Sequence, residues 1–269
     1  MSTAKNAARS AHSSSTFRAV ARVGYAVLGL LHIIIGSIAI TIATGAGGGS
    51  ADQSGAMSQI RESPFGLVVL WVIVIGLTAL SLFEIAQAFF ASDTAGDDKK
   101  KWGRRVKHLG TAGAYIAVAA TALTYALGGS SSSSGSTQSL SAQLLATPGG
   151  VFLLVLVGLV VAVVGGAFVY KGVTKKFEEK LNLPPATLGK AIVGFGIAGY
   201  VAKGIAVGVA GLLFIVAAFT QDPEAAGGLD GALQSLAQLP FGQVILWIVG
   251  AGLILYGLFC FARARYARM

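Results

Sequence analysis

Charge is scarce in this chain. Of its 269 residues only 12% are Asp, Glu, Lys or Arg, about half of what a soluble domain carries. A water-facing surface of this size cannot be coated with so little charge. A single cysteine, Cys260, excludes a disulfide framework and a cysteine-rich zinc or iron–sulfur site. There are three histidines and 11 carboxylates, and no Ser–His–Asp set, paired catalytic carboxylates, phosphate loop or metal-ligand spacing among them. The sequence therefore points to no enzyme and to no cofactor or metal. Disorder is excluded by the opposite balance: a disordered chain is poor in apolar residues, and here 54% are hydrophobic, with a mean hydropathy of +0.73. What remains is an integral membrane protein.

Six stretches of about 20 residues are apolar enough to cross a hydrocarbon core roughly 30 Å thick. They run from Val23 to Ala43, Phe65 to Phe90, Leu109 to Leu127, Gly150 to Tyr170, Ile192 to Phe219 and Phe241 to Ala262. None alternates strictly, so they read as helices and not as barrel strands. The first follows a basic segment, as a signal peptide would. Its counterparts later in the chain mark it instead as a membrane helix. Of the 20 Lys and Arg, 18 fall in the N-terminal segment, the second and fourth connections and the C-terminus. Basic loops stay inside, which places both termini in the cytoplasm and the protein in the cell membrane. No nucleic-acid motif accompanies the +9 charge.

An internal repeat organises the chain. The approach to the second span, Gly55-Ala56-Met57 to Pro64-Phe65-Gly66 and Trp71, returns before the sixth as Gly231-Ala232-Leu233 to Pro240-Phe241-Gly242 and Trp247. A degraded middle copy keeps Pro148, Gly149 and Gly150 without the Phe and Trp. The odd spans share a tyrosine at Tyr25, Tyr115 and Tyr200. These blocks predict an all-α, six-helix membrane bundle of three parallel two-helix hairpins about a pseudo-threefold axis. The expected units are hairpins 17–92, 103–178 and 191–265. Between and beyond them lie a disordered tail 1–16, cytoplasmic linkers 93–102 and 179–190, and a tail 266–269. Proline suits the first turn of a helix, so each Pro reads as a helix-entry device. Close helix contacts are expected at Gly204, Gly208, Gly29, Gly36, Gly165 and Gly166.

The tripled hairpin, the Gly-Tyr opening of the first and fifth spans, the Pro-Phe-Gly block and the stretch Tyr170 to Glu179 resemble the domain of unknown function 1206 family. The resemblance runs roughly from Phe17 to Arg265. It implies an actinobacterial-type multipass membrane protein and supplies no functional residues.

Gly128 to Ser139 (GGSSSSSGSTQS) and Ala43 to Gly55 read as flexible outer loops. The inner lysine clusters face anionic headgroups of the bilayer. Three polar residues inside spans invite a functional reading. Glu84 and Lys203 both lie toward the inner leaflet, where Lys203 can snorkel and the two can pair. His32 lies near mid-bilayer and reads as a neutral histidine bonded to a neighbouring helix. Cys260 reads as a small buried residue. The functional expectation is a non-enzymatic accessory or scaffolding subunit, with other membrane protein subunits as partners. The alternative is a small transporter or channel using Glu84, Lys203 and His32, which a continuous cavity reaching them would favour.

Overall fold

The computed structural model describes residues 15–46, 49–90 and 98–268. Most of the expected tail 1–16, with Lys5 and Arg9, and the first part of the linker 93–102 lie outside the described residues. In chain order the helices are α1 (Ser15–Ala43), α2 (Gln53–Glu62), α3 (Gly66–Phe90), α4 (Asp98–Ala126), α5 (Ser133–Leu145), α6 (Gly150–Val173), α7 (Ala186–Thr220), α8 (Gly228–Ala237) and α9 (Gly242–Tyr266). Six of them are long and apolar enough to span a membrane; the shortest apolar stretch, Arg22–Ala43, has 22 residues, about 33 Å at 1.5 Å per residue. α4 and α7 begin 11 and six residues before the apolar runs that announced them, in stretches read as linkers. Lysine and arginine are good helix formers, so the helix outlasts the apolar run.

The two serine-rich and glycine-rich loops are not structureless. Helix α5 occupies Ser133–Leu145, most of the expected flexible linker. The Ser132 hydroxyl caps it by accepting from Gly135 N–H at 2.9 Å. Asp52 caps α2 in the same way, accepting from Gly55 N–H at 3.0 Å. It also accepts from the hydroxyls of Ser54 and Ser134. Composition signalled flexibility, whereas serine at a cap position starts a helix.

Each short helix turns sharply into an even-numbered span. The turns close with Gly66 N–H to Ser63 O at 2.9 Å, Gly150 N–H to Thr147 O at 2.9 Å and Gly242 N–H to Leu239 O at 2.7 Å. Pro64, Pro148 and Pro240 therefore sit at the second position of a β-turn, where their fixed φ is preset, and not in the first helical turn. The residue after proline adopts positive φ in two copies, Gly149 at 79° and Phe241 at 60°. The closing glycine has a steric cause. A Cβ there would lie 2.0 Å from Ile60 O, 1.6 Å from Leu144 O or 2.1 Å from Ala237 O. Phe65, Phe241, Trp71 and Trp247 point away from the bundle. Leu70, Leu154 and Leu246, equivalent in the repeat, are all buried.

The closest helix pairs join different repeats. α1 packs on α9, α4 on α3 and α7 on α6, so each odd span takes the even span of the preceding repeat, with the first repeat closing on the third. Glycine makes two of these crossings intimate. A Cβ on Gly36 would meet Gly250 O at 2.5 Å, and one on Gly29 would meet Gly257 O at 2.7 Å. In the α6–α7 pair Gly158 faces Gly211, and Gly165 faces Gly204 and Gly208. The repeat puts Ala119 and Ser81 in those places on α4 and α3, and the Ser81 hydroxyl donates to Ala112 O at 3.2 Å. Gly166, expected at a contact, faces open space.

Within hairpins the symmetry breaks. α1 packs on α3 and α7 on α9, but α4 and α6 do not pack along their length. In the closed hairpins, a Cβ on Gly24 would meet Leu80 at 2.4 Å and one on Gly199 would meet Tyr256 at 2.5 Å. The middle copy has Ala114 in that place, and Val160 where the others have Gly76 and Gly252. The added methyl groups hold the two helices apart. The consequence is visible at one equivalent triplet: Leu80 is 0% exposed, Tyr256 6% and Val164 42%. The bundle is a ring with one open side: Ala114 and Ala117 of α4 and Val157, Val160 and Val164 of α6 stand at the positions that close the other hairpins, and here all five are exposed.

Candidate functional site

The charged groups of the long spans gather toward the end that carries the basic loops. Arg263, near the end of α9, donates from Nη2 to the Tyr25 hydroxyl at 3.0 Å and lies 4.2 Å from the centre of that ring. Lys171, near the end of α6, donates from Nζ to the Tyr200 hydroxyl at 2.9 Å and lies 4.5 Å from its ring centre. These two pairs are one motif. The offset that carries Pro240 onto Pro148 carries Arg263 onto Lys171, and the offset to Pro64 carries it onto Gln87. Gln87 is on α3, the helix that pairs with the one carrying Tyr115. Each signature tyrosine thus belongs with a polar residue of the preceding repeat, and two of the three polar residues are cations. Arg263 lies within electrostatic reach of all three tyrosines and of Tyr256.

Glu84 and Lys203, expected to pair, do not meet. Glu84 Oε2 lies 2.6 Å from His108 Nδ1, an α3–α4 contact that places His108 against the bundle. Lys203 does not snorkel outward. Its Nζ lies 3.1 Å from His32 Nε2, 4.4 Å from the Tyr256 ring centre and 5.2 Å from that of Phe168. His32 Nδ1 lies 2.7 Å from Leu28 O. A carbonyl can only accept, so Nδ1 carries the proton and Nε2 accepts from the ammonium. His32 is therefore neutral, bonded to its own helix and to α7.

Beneath this cluster the chain folds back as a plug. Phe177 is 3% exposed, stacked on Tyr200 at 5.4 Å and edge-on to Phe259 at 5.1 Å. A Cβ on Gly196 would strike its ring at 2.5 Å. The segment is pinned to the C-terminal end by Asn182 N–H to Tyr266 O at 2.8 Å and Arg268 N–H to Lys180 O at 3.0 Å. Lys180 is exposed, yet it is held below the ordinary lysine range, first by desolvation from the protein around its ammonium and then by the positive charges of Lys107, Arg263 and Lys171. Cys260 is buried beside this aromatic group. Arg263, Lys171, His108 and Phe177 escaped the sequence reading because each sits in a basic or loop stretch that positive-inside charge already explained. The signal that could have found two of them was the repeat register itself.

At the opposite end, Asp230 on α8 is buried and accepts from Ala51 N–H at 2.7 Å and from the Gln234 amide at 2.8 Å. Burial raises its carboxyl above the ordinary range, against the lowering effect of those two bonds. A cleft of about 360 Å³ opens there, lined in part by Ser134, Gln138, Asp230 and Gln234. Another, of about 540 Å³ and lined in part by Lys175, Glu178, Pro184 and Lys190, opens at the basic end. Neither is lined by His32, Glu84 or Lys203.

A family model described as Domain of Unknown Function (DUF1206) matches the chain three times, at residues 23–91, 106–175 and 198–267. Each match covers one hairpin. The chain is also 32% identical over 252 residues to "Uncharacterized protein YxxB" of Bacillus subtilis (strain 168), an alignment covering 92% of this chain and 90% of the relative. No solved structure matches. With three matches that follow the three hairpins, the chain belongs to the DUF1206 family, as a multipass membrane protein of three repeated helix pairs.

Proposed function

We propose that this protein is a non-enzymatic accessory or scaffolding subunit of a larger complex in the cell membrane, with its basic end and both termini in the cytoplasm. The observation that carries the reading is the distribution of polarity along the bundle. Within the long spans, charged side chains occupy one half, engaged with tyrosine hydroxyls, histidines and aromatic rings. Beyond them the interior is filled by buried apolar side chains, including Leu31, Ile35, Ile38, Ile73, Leu77, Leu246, Val249 and Leu253. A conduit needs hydrated polar groups throughout its length, and a support protein does not. Glycine-sealed helix pairs suit a rigid body that others assemble on.

The transporter reading has one observation in its favour: Lys171, Lys203 and Arg263 place three cationic groups in a single half of the bundle. Two measurements separate the readings. Isolation in mild detergent after in-cell cross-linking should recover a stoichiometric membrane partner. Proteoliposomes loaded with chloride or phosphate should show no flux above protein-free vesicles. Flux that Lys203→Met or Arg263→Gln abolishes in a folded protein would replace the subunit reading with the transporter.

A further inference from the structure

The open side of the ring ends, at the basic end, in a concentration of like charge. Lys107 on α4 and Lys171 on α6 are the lysines at the foot of the two helices that fail to close. Lys171 lies within electrostatic reach of Lys107 and of Arg263, and Lys180 in the following loop lies within reach of all three. Glu84 is the carboxylate within reach of Lys171 and Lys180, and it is already engaged by His108. Lys171 and Arg263 are oriented by the hydroxyls of Tyr200 and Tyr25, and Lys107 and Lys180 are exposed at the rim. Among the described residues these cations outnumber the carboxylate that reaches them, leaving a net positive field at the edge of the hydrocarbon, where repulsion among the cations is weakly screened. Directly above it, the positions of α4 and α6 that the repeat equates with the closed faces of the other hairpins carry the apolar, exposed residues Ala114, Ala117, Val157, Val160 and Val164.

We infer that this side of the bundle is a binding site for an anionic phospholipid, its phosphate held at the foot of α4 and α6 by Lys107, Lys171, Lys180 and Arg263 and an acyl chain lying above in the slot between these helices. The charge selects the occupant. Basic pockets between transmembrane helices on the cytoplasmic side suit anionic headgroups, whereas a zwitterionic lipid brings its own cation and gains little. A free phosphate would meet the same cations but leave the apolar slot unused. The site requires neither the subunit nor the transporter reading to hold.

Native mass spectrometry of the full chain, released from micelles containing equal phosphatidylglycerol and phosphatidylcholine, tests the proposal. The wild-type protein should retain phosphatidylglycerol in clear preference. Lys107→Gln and Lys180→Gln, both at exposed positions, should each weaken retention about fivefold, the equivalent of about 1 kcal/mol per basic residue, with circular dichroism unchanged. Lys190→Gln, outside the cluster, should not. Val160→Trp, which fills the slot and leaves every charge in place, should also reduce retention. Equal retention of the two lipids would overturn the proposal, as would rim variants that bind like wild type. Displacement of the lipid by millimolar inorganic phosphate would reassign the cluster to a soluble anion. Loss of retention with Val160→Trp and none with the lysine variants would leave an apolar slot without headgroup selection, and the proposal would fail.

Discussion

A buried polar atom in a membrane bundle is costly unless it has a partner, and the partners found here change what each residue means. Glu84 is bonded to His108, so removing either should leave the other unsatisfied at a cost of about 1–3 kcal/mol. In thermal unfolding in detergent, Glu84→Ala and His108→Ala should be strongly non-additive. Glu84→Ala and Lys203→Ala should add within about 0.5 kcal/mol; coupling in the second cycle would restore the pairing suggested by depth alone. Asp230 offers a test with a sign. Its carboxyl is raised in the folded protein, so the folded state holds that proton more tightly than the unfolded chain does. Its effect on stability is most favourable below the ordinary aspartate range and declines as pH rises through the folded-state value. Asp230→Asn keeps an acceptor for Ala51 N–H and should flatten this slope with little loss at neutral pH. Asp230→Ala orphans that N–H and should cost about 1–3 kcal/mol, read as a lower melting temperature at every pH. At Phe177, truncation to alanine removes a ring packed on Tyr200 and Phe259, and should cost about 3–5 kcal/mol. The same melting measurement reads it.

At the scale of elements, glycine decides which helices touch. Gly36 and Gly250 meet backbone to backbone, so Gly36→Ala or Gly250→Ala should lower stability by about 1–3 kcal/mol through overpacking. Gly166→Ala, on an open face, should be neutral or slightly stabilising because alanine is the better helix former. A uniform response across these glycines would remove the packing argument. The spans and the three hairpins were legible in the sequence because hydropathy and the Pro-Phe-Gly block each have a direct physical cause. The serine-rich helix α5 was not, since a run of serines carries no apolar periodicity and its cap partner Asp52 is distant in the chain. The misplacement of Pro64, Pro148 and Pro240 had a similar origin. A proline one or two residues before a helix fits a turn as well as a first helical position, and only the closing bond from Gly66, Gly150 or Gly242 distinguishes them. The polar cluster was the least legible. Tyr25 and Tyr200 were visible as a repeat, but the cations that meet them lie on helices from other repeats, and no spacing along one hairpin reveals that exchange.

The whole molecule is a pseudo-threefold ring in which each hairpin lends its second helix to the next, and in which the degraded middle copy leaves one side open. That opening is the central claim, because the lipid site depends on it and the equivalence of the three hairpins ends there. Fluorescence quenching by lipids brominated on their acyl chains measures it most directly. Trp71, Trp102 and Trp247 are first replaced by phenylalanine, and single tryptophans are then placed at the equivalent positions Val164 and Tyr256. Reconstituted in brominated lipid, the tryptophan at 164 should be strongly quenched, because its face of α6 is bare. The one at 256 should be largely protected by α7 packed against it. Equal quenching at the two positions, or protection at 164, would mean that the middle hairpin closes like the others, and the account of an open ring would be wrong.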